Sequence, residues 1–219
     1  MVVREKFEEE LRKLQSSLIE LGNFSSEALT QSLEALENKD IELALKIIDD
    51  DDKANMMEEE IDDAAILLIA KQAPVAVDLR RIIVAIKIAN EIERIADFAV
   101  NIAKSTIRIG SEPLVKPIEH IRQMHKLTLE MLNLSLEAFA EEDLGKAKKV
   151  AEMDDEVDAL YGQTIVDLLK LNQTNPAQMA QITQLSFICR FLERAADHTT
   201  NIAENVFYLV KGKRYDLNN

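Results

Sequence analysis

The chain carries a second copy of itself. Residues Glu93-Arg94-Ile95-Ala96-Asp97-Phe98-Ala99-Val100-Asn101-Ile102-Ala103 return 100 positions later as Glu193-Arg194-Ala195-Ala196-Asp197-His198-Thr199-Thr200-Asn201-Ile202-Ala203, with seven of eleven positions identical. Upstream, Ser32-Leu33-Glu34-Ala35 and Asp40 match Ser135-Leu136-Glu137-Ala138 and Asp143 at an offset of 103, and Ala44 and Lys46 match Ala147 and Lys149 in the same register. A repeat of this period obliges the chain to fold as two similar units, here residues 1–110 and 111–219. The three-residue slip between the two offsets predicts a shorter interhelical connection in the second unit.

Each unit reads as helical. The chain has 219 residues, 47% of them hydrophobic, with five Gly, four Pro, no Trp and 5% aromatics. That composition, rich in straight-chain helix formers, gives an all-α fold with a sizeable core. Apolar spacing of three and four residues predicts six long helices: Val3 to Glu37, Ile41 to Lys71, Val77 to Ile109, Pro117 to Ala140, Leu144 to Leu171, and Ala177 to Lys211. Asp40 is placed as an N-cap of the second. That helix should bend near Asp49 to Asp52, where four adjacent carboxylates repel one another. Turns at Asn38-Lys39-Asp40, Pro74 and Asn175-Pro176, with a linker at Gly110-Ser111-Glu112-Pro113, divide the chain into two tandem three-helix units of antiparallel neighbours.

A net charge of -14 excludes the basic stripe that nucleic acid requires, and it disfavours an anionic membrane surface. Uninterrupted apolar runs stay short of a membrane span, so no membrane insertion is expected. The single Cys189 allows no internal disulfide, and the charged N-terminus does not resemble a signal peptide. A reducing cytoplasm is the expected setting.

The duplicated segment is more than an apolar pattern. At 100° per residue, Asn90, Glu93, Arg94, Asp97 and Asn101 fall within roughly a 100° arc of one helix, and Arg190, Glu193, Arg194, Asp197 and Asn201 repeat it. The second helix has its own row, Asp51, Asn55, Glu58 and Asp62, matched in the other unit by Asp154, Asp158 and Tyr161. Were the rows to face each other, oxygen donors would converge without histidine or cysteine. Such carboxylates either take up protons at raised pKa or hold a cation. An all-oxygen set suits Mg²⁺, Ca²⁺, Mn²⁺ or iron, and not a thiolate zinc site. The plainer readings are a solvated helix face or salt bridges to Arg94 and Arg194.

Other chemistry finds little support. A ferritin-like di-iron oxidase needs Glu-x-x-His on two helices, but Pro117, Arg122 and Ala195 stand three residues before the histidines. Gly-rich phosphate loops, nucleophile elbows and Cys/His pairs are lacking, so no enzyme is expected. A metal-dependent phosphohydrolase is the enzymatic alternative, since two neighbouring metals can serve an in-line displacement. Cys189 reads as a buried inert thiol, Met56 and Met57 as gap-filling core, Asp49 and Asp50 as a solvated turn, and His198 as an ordinary partly exposed histidine rather than a ligand.

Glu-Arg-x-x-Asp in both units, Asn55-Met56-Met57-Glu58 followed by Ile61-Asp62, Ala73-Pro74 with Asp78-Leu79-Arg80, and Tyr208-Leu209-Val210-Lys211-Gly212 together resemble the PhoU family of phosphate-specific transport accessory proteins. The resemblance covers essentially the whole chain. It implies a pair of three-helix bundles related by an internal pseudo-twofold duplication, in a cytoplasmic protein, often a homodimer, with multinuclear clusters of iron, manganese or magnesium on carboxylates. Carried over by position, the ligands are Glu93, Asp97, Glu193 and Asp197, joined on the repeat pattern by Asp51, Asp154, Asp158, Asn101 and Asn201. Arg94 and Arg194 would orient the carboxylates or approach bound phosphate. The resemblance further implies a negative regulator of phosphate-starvation signalling that moderates phosphate uptake, an adaptor between the ATPase subunit of the phosphate ABC transporter and a sensor histidine kinase. The alternative is a metal-independent helical scaffold. Because Thr199, Thr200 and His198 replace Ala99, Val100 and Phe98, unequal metal binding by the two sites is expected.

Overall fold

The computed structural model describes residues 2–217; Met1, Asn218 and Asn219, at the outer ends of the two expected units, lie outside it. Seven helices follow in order: α1 (Val2–Asn38), α2 (Ile41–Asp49), α3 (Asp51–Gln72), α4 (Val77–Ile109), α5 (Glu119–Glu141), α6 (Leu144–Thr174) and α7 (Met179–Lys211). No strand occurs among the described residues, nor any helix long and apolar enough to cross a membrane.

The expected bend in the second helix is a break. Asp50, with φ −83° and ψ −3°, separates α2 from α3, although its N–H still donates to the Lys46 carbonyl at 3.0 Å. Met153 occupies the equivalent place in α6, which runs unbroken through Glu152-Met153-Asp154-Asp155, so the break accompanies the one acid, Asp50, that the second unit lacks. Asp49 is exposed, and Asp50 pairs with Lys53 at 2.7 Å. The connection expected to be shorter in the second unit is not: residues 73–76 join α3 to α4 and residues 175–178, with a 3₁₀ turn over Pro176–Gln178, join α6 to α7.

Duplication extends to single hydrogen bonds. Lys39 and Glu142 both take the left-handed conformation, φ 55° and 54°, and both precede an aspartate cap. Asp40 accepts from the Leu43 N–H at 2.9 Å, and Asp143 from Gly145 at 2.7 Å and Lys146 at 3.2 Å, satisfying donors that a helix start leaves orphaned. The buried Ser25 hydroxyl lies 3.0 Å from the Leu21 carbonyl and 3.2 Å from that of Ile92. Thr128 repeats this with Met124 at 2.9 Å and Leu192 at 3.5 Å. Each hydroxyl thus fixes α1 on α4, or α5 on α7, at the same level.

The central pair is α4 and α7, antiparallel, with α1, α2 and α3 covering one and α5 and α6 the other. Ile88, Ile92 and Ile95 of α4 and Ile188 and Leu192 of α7 are all but fully buried in one hydrophobic core that continues across both units. Burial of each such side chain stabilises by roughly 1.5–3 kcal/mol. The outer helices α1 and α5 also touch. A Cβ on Gly22 would lie 2.3 Å from Leu136 Cδ1, so a larger residue there would force the Leu136 side chain to shift. Its repeat counterpart, His125, is buried with Nε2 donating to the Leu29 carbonyl at 3.0 Å; burial pushes its pKa down.

Cys189 is buried as expected, and burial raises its thiol pKa to about 12, which leaves it inert. Met57 packs against the core. Met56 does not: it is 54% exposed on the rim of the acidic groove described next.

Candidate metal centres

Antiparallel packing of α3 on α4 sets the first carboxylate rows face to face. Glu58 and Asn55 line an open groove of about 600 Å³ with Asn90, Glu93 and Arg94, and Asp51 lies within charge range of Asp97. Glu93 is only 8% exposed, and its Oε2 is buried without a hydrogen-bond partner. Burial first, then the Asp97 charge, pushes its carboxyl above the usual range, with Arg94 opposing. Burial and Asp97 do the same to Asp51. Glu58 is raised by burial and then by Asp62, and Asp62 by burial and then by Asp63.

The second unit repeats the design with α6 on α7. Asp154 is 5% exposed, and burial, then Asp197 and Asp158, pushes its carboxyl up to about 7. Burial and Asp197 raise Glu193; burial and Asp158 raise Asp197. Glu193 Oε2 and Asp154 Oδ1 are buried without partners, so the orphaned glutamate oxygen occurs in both copies. Asp154 is more enclosed than Asp51 for a visible reason. Beside Asp51 lies a crevice of about 160 Å³ lined by Ala28, Asp50 and Ala54, and Met131, Met153 and Val157 stand in those places in the second unit, all buried.

Each site therefore contains four facing carboxylates, differently placed. The first has Asp51, Glu58, Glu93 and Asp97; the second has Asp154, Asp158, Glu193 and Asp197. Asp158 corresponds to Asn55, and Tyr161 to Glu58, so one acid has moved by about one helical turn. The arginines differ too. Arg94 reaches Asp97 Oδ2 at 3.0 Å and lies 3.4 Å from Glu93 Oε2. Its repeat, Arg194, turns instead over the Phe98 ring, 5.4 Å from the centroid, and Arg190 pairs with Glu193 in its stead.

The asparagines of the sequence pattern fare differently from the acids. Asn101 is half-buried, but Asn201 is drawn off to Glu91 of α4, its amide donating to Oε2 at 3.0 Å. His198 Nδ1 meets the same oxygen at 2.6 Å, so this histidine is a tie between units rather than a loosely exposed side chain. Glu58, Glu91 and the engagement of Arg190 complete the ligand set carried over from the motif. Glu58 is legible in the sequence as a member of the row 51, 55, 58, 62; Glu91 has no signal outside the three-dimensional packing.

Among the described residues, no three His, Cys, Asp or Glu side chains already enclose one point where an ion would sit. The donor set fits a hard cation nevertheless: all oxygen, buried or half-buried apart from the exposed Asp158, mutually repelling, and with an oxygen on Glu93 and on Glu193 that accepts no hydrogen bond. Such a row relaxes either by taking up protons or by closing on a positive charge.

Fold and site together define a duplicated helical protein with an internal carboxylate row in each copy. The PhoU domain matches residues 18–106 and 121–206; the chain belongs to the PhoU family. It is 38% identical over 218 residues to a phosphate-specific transport system accessory protein PhoU homolog from Clostridium acetobutylicum, covering 99% of this chain and 100% of that one. A homolog of the same name from Zymomonas mobilis is 38% identical, with 95% and 88% covered. Among solved structures, PhoU from Pseudomonas aeruginosa superposes with a TM-score of 0.90 at 31% identity, covering 94% of this chain and all of that one. The phosphate transport system regulatory protein PhoU from Streptococcus pneumoniae gives 0.89 at 32%, covering 96% and 99%.

Proposed function

We propose that this protein is a metal-binding, non-enzymatic negative regulator of phosphate uptake and phosphate-starvation signalling, a cytoplasmic adaptor between the ATPase subunit of the phosphate ABC transporter and a sensor histidine kinase. Family membership and the accessory and regulatory names of its relatives support the phosphate context. The observation that carries the metal is the buried Oε2 of Glu93 and of Glu193, neither of which accepts a hydrogen bond. Asp51, Glu58, Glu93 and Asp97 would hold one centre, and Asp154, Asp158, Glu193 and Asp197 the other. Bound iron, manganese or magnesium would supply the positive charge these rows lack. The carboxylates themselves bind, and by binding draw α3 to α4 and α6 to α7. Exposed Ile66 on α3 and Leu169 at the equivalent place on α6 offer apolar surface for a homodimer or a partner.

Deleting the gene should raise phosphate-starvation gene expression in phosphate-rich medium, measured with a reporter; unchanged expression would count against the regulatory reading. A metal-free scaffold is the second reading, favoured by the Arg94–Asp97 and Arg190–Glu193 bridges. It expects a chelator to leave thermal stability unchanged.

A further inference from the structure

We propose that Arg190, held over Tyr161, is a built-in counter-cation of the second carboxylate row and sets that row's affinity for a hard cation below the first row's. This inference rests on the metal reading above.

Arg190 and Tyr161 stand where the first unit has Asn90 and Glu58. In the first unit those two side chains border an open groove beside Glu93, and the amide oxygen of Asn90 is a further neutral donor. In the second, the guanidinium hydrogen-bonds Glu193 Oε1 while lying over the Tyr161 ring, 5.9 Å from its centroid. Two attachments hold it there, a charged hydrogen bond to a carboxylate 9% exposed and a cation–π contact. A cation that engages both oxygens of Glu193 must displace both. Arg94, half exposed like Arg190, offers less resistance: its hydrogen bond goes to Asp97, it lies 3.4 Å from Glu93 Oε2 without hydrogen-bonding it, and no ring lies beneath it among the cation–ring contacts of the described residues. Glu193 still presents Oε2 without a partner, so the second row keeps an unmet demand for positive charge that Arg190 satisfies only in part.

The repeat supplies the exchange variants. Full-length chains carrying Glu93→Gln and Asp97→Asn report the second row alone, and chains carrying Glu193→Gln and Asp197→Asn report the first. Mn²⁺ is titrated into each, by calorimetry and by electron paramagnetic resonance, with circular dichroism confirming helix content. The first row is expected to bind Mn²⁺ about tenfold more tightly than the second, the difference made by one charged hydrogen bond. Arg190→Asn should tighten the second row by about tenfold, and Asn90→Arg should weaken the first by a similar factor. Arg194→Asn, which removes an arginine turned onto Phe98, should change the second row by about threefold at most. If Arg190→Asn leaves second-row affinity unchanged, or Arg194→Asn matches its effect, the role of Arg190 is overturned while the metal reading stands. If neither background takes up Mn²⁺, the metal reading falls and this inference with it.

Discussion

Metal-free protein carrying Asp154→Asn is expected to melt about 5 °C higher than the parent at pH 8, with the gap narrowing as pH falls and closing near pH 4. Burial and the charges of Asp197 and Asp158 raise the Asp154 carboxyl from an ordinary 3.8 to about 7 in the folded chain. A carboxyl raised on folding binds its proton more tightly in the native state, so stability falls as pH rises between those two values and is lowest above the upper one. After allowance for solvent screening, that loss is about 2 kcal/mol. The amide has no proton to lose and escapes it. Scanning calorimetry of both chains from pH 4 to 8 checks this; parallel curves would show that Asp154 titrates normally.

Cation binding should reverse the same penalty with a larger effect. A ligand that binds only the folded state at a hundredfold excess over its Kd adds about 2.7 kcal/mol per site. Two sites would therefore raise the melting temperature of a chain of this size by roughly 10–20 °C. The rise should vanish on adding chelator. It should also be missing from a fourfold variant, Glu93→Gln, Asp97→Asn, Glu193→Gln and Asp197→Asn, whose metal-free form is expected to melt no lower than the parent because the amides remove mutual repulsion. A thermal shift that persisted in this variant would place the cations elsewhere.

The helices and the carboxylate rows were legible because both depend on periodicity within one segment. Glu93 and Asp97 fall on one arc whatever surrounds them, and their recurrence as Glu193 and Asp197 marks the arc as more than a solvated face. Choices between neighbouring helices were not legible in the same way. Asn201 shares that arc, yet its amide goes to Glu91, because the α4–α7 packing brings that carboxylate within reach. Arg94 and Arg194 stand in the same Glu-Arg-x-Ala-Asp motif, but Phe98 offers Arg194 an aromatic face, while Arg190 pairs with Glu193. Met56 reads as core because methionine in a helical bundle usually fills gaps, yet it stands on the groove rim; the acidic run signals a bend near Asp50 without fixing its sharpness.

Elemental analysis of the chain purified without a metal-chelating tag, beside the fourfold variant, tests the central claim most directly. The account predicts several equivalents of iron, manganese or a similar hard cation per chain, lost in the variant. A chain that arrives metal-free, takes up none of the added Fe²⁺, Mn²⁺ or Mg²⁺, and keeps its melting temperature in chelator would contradict it.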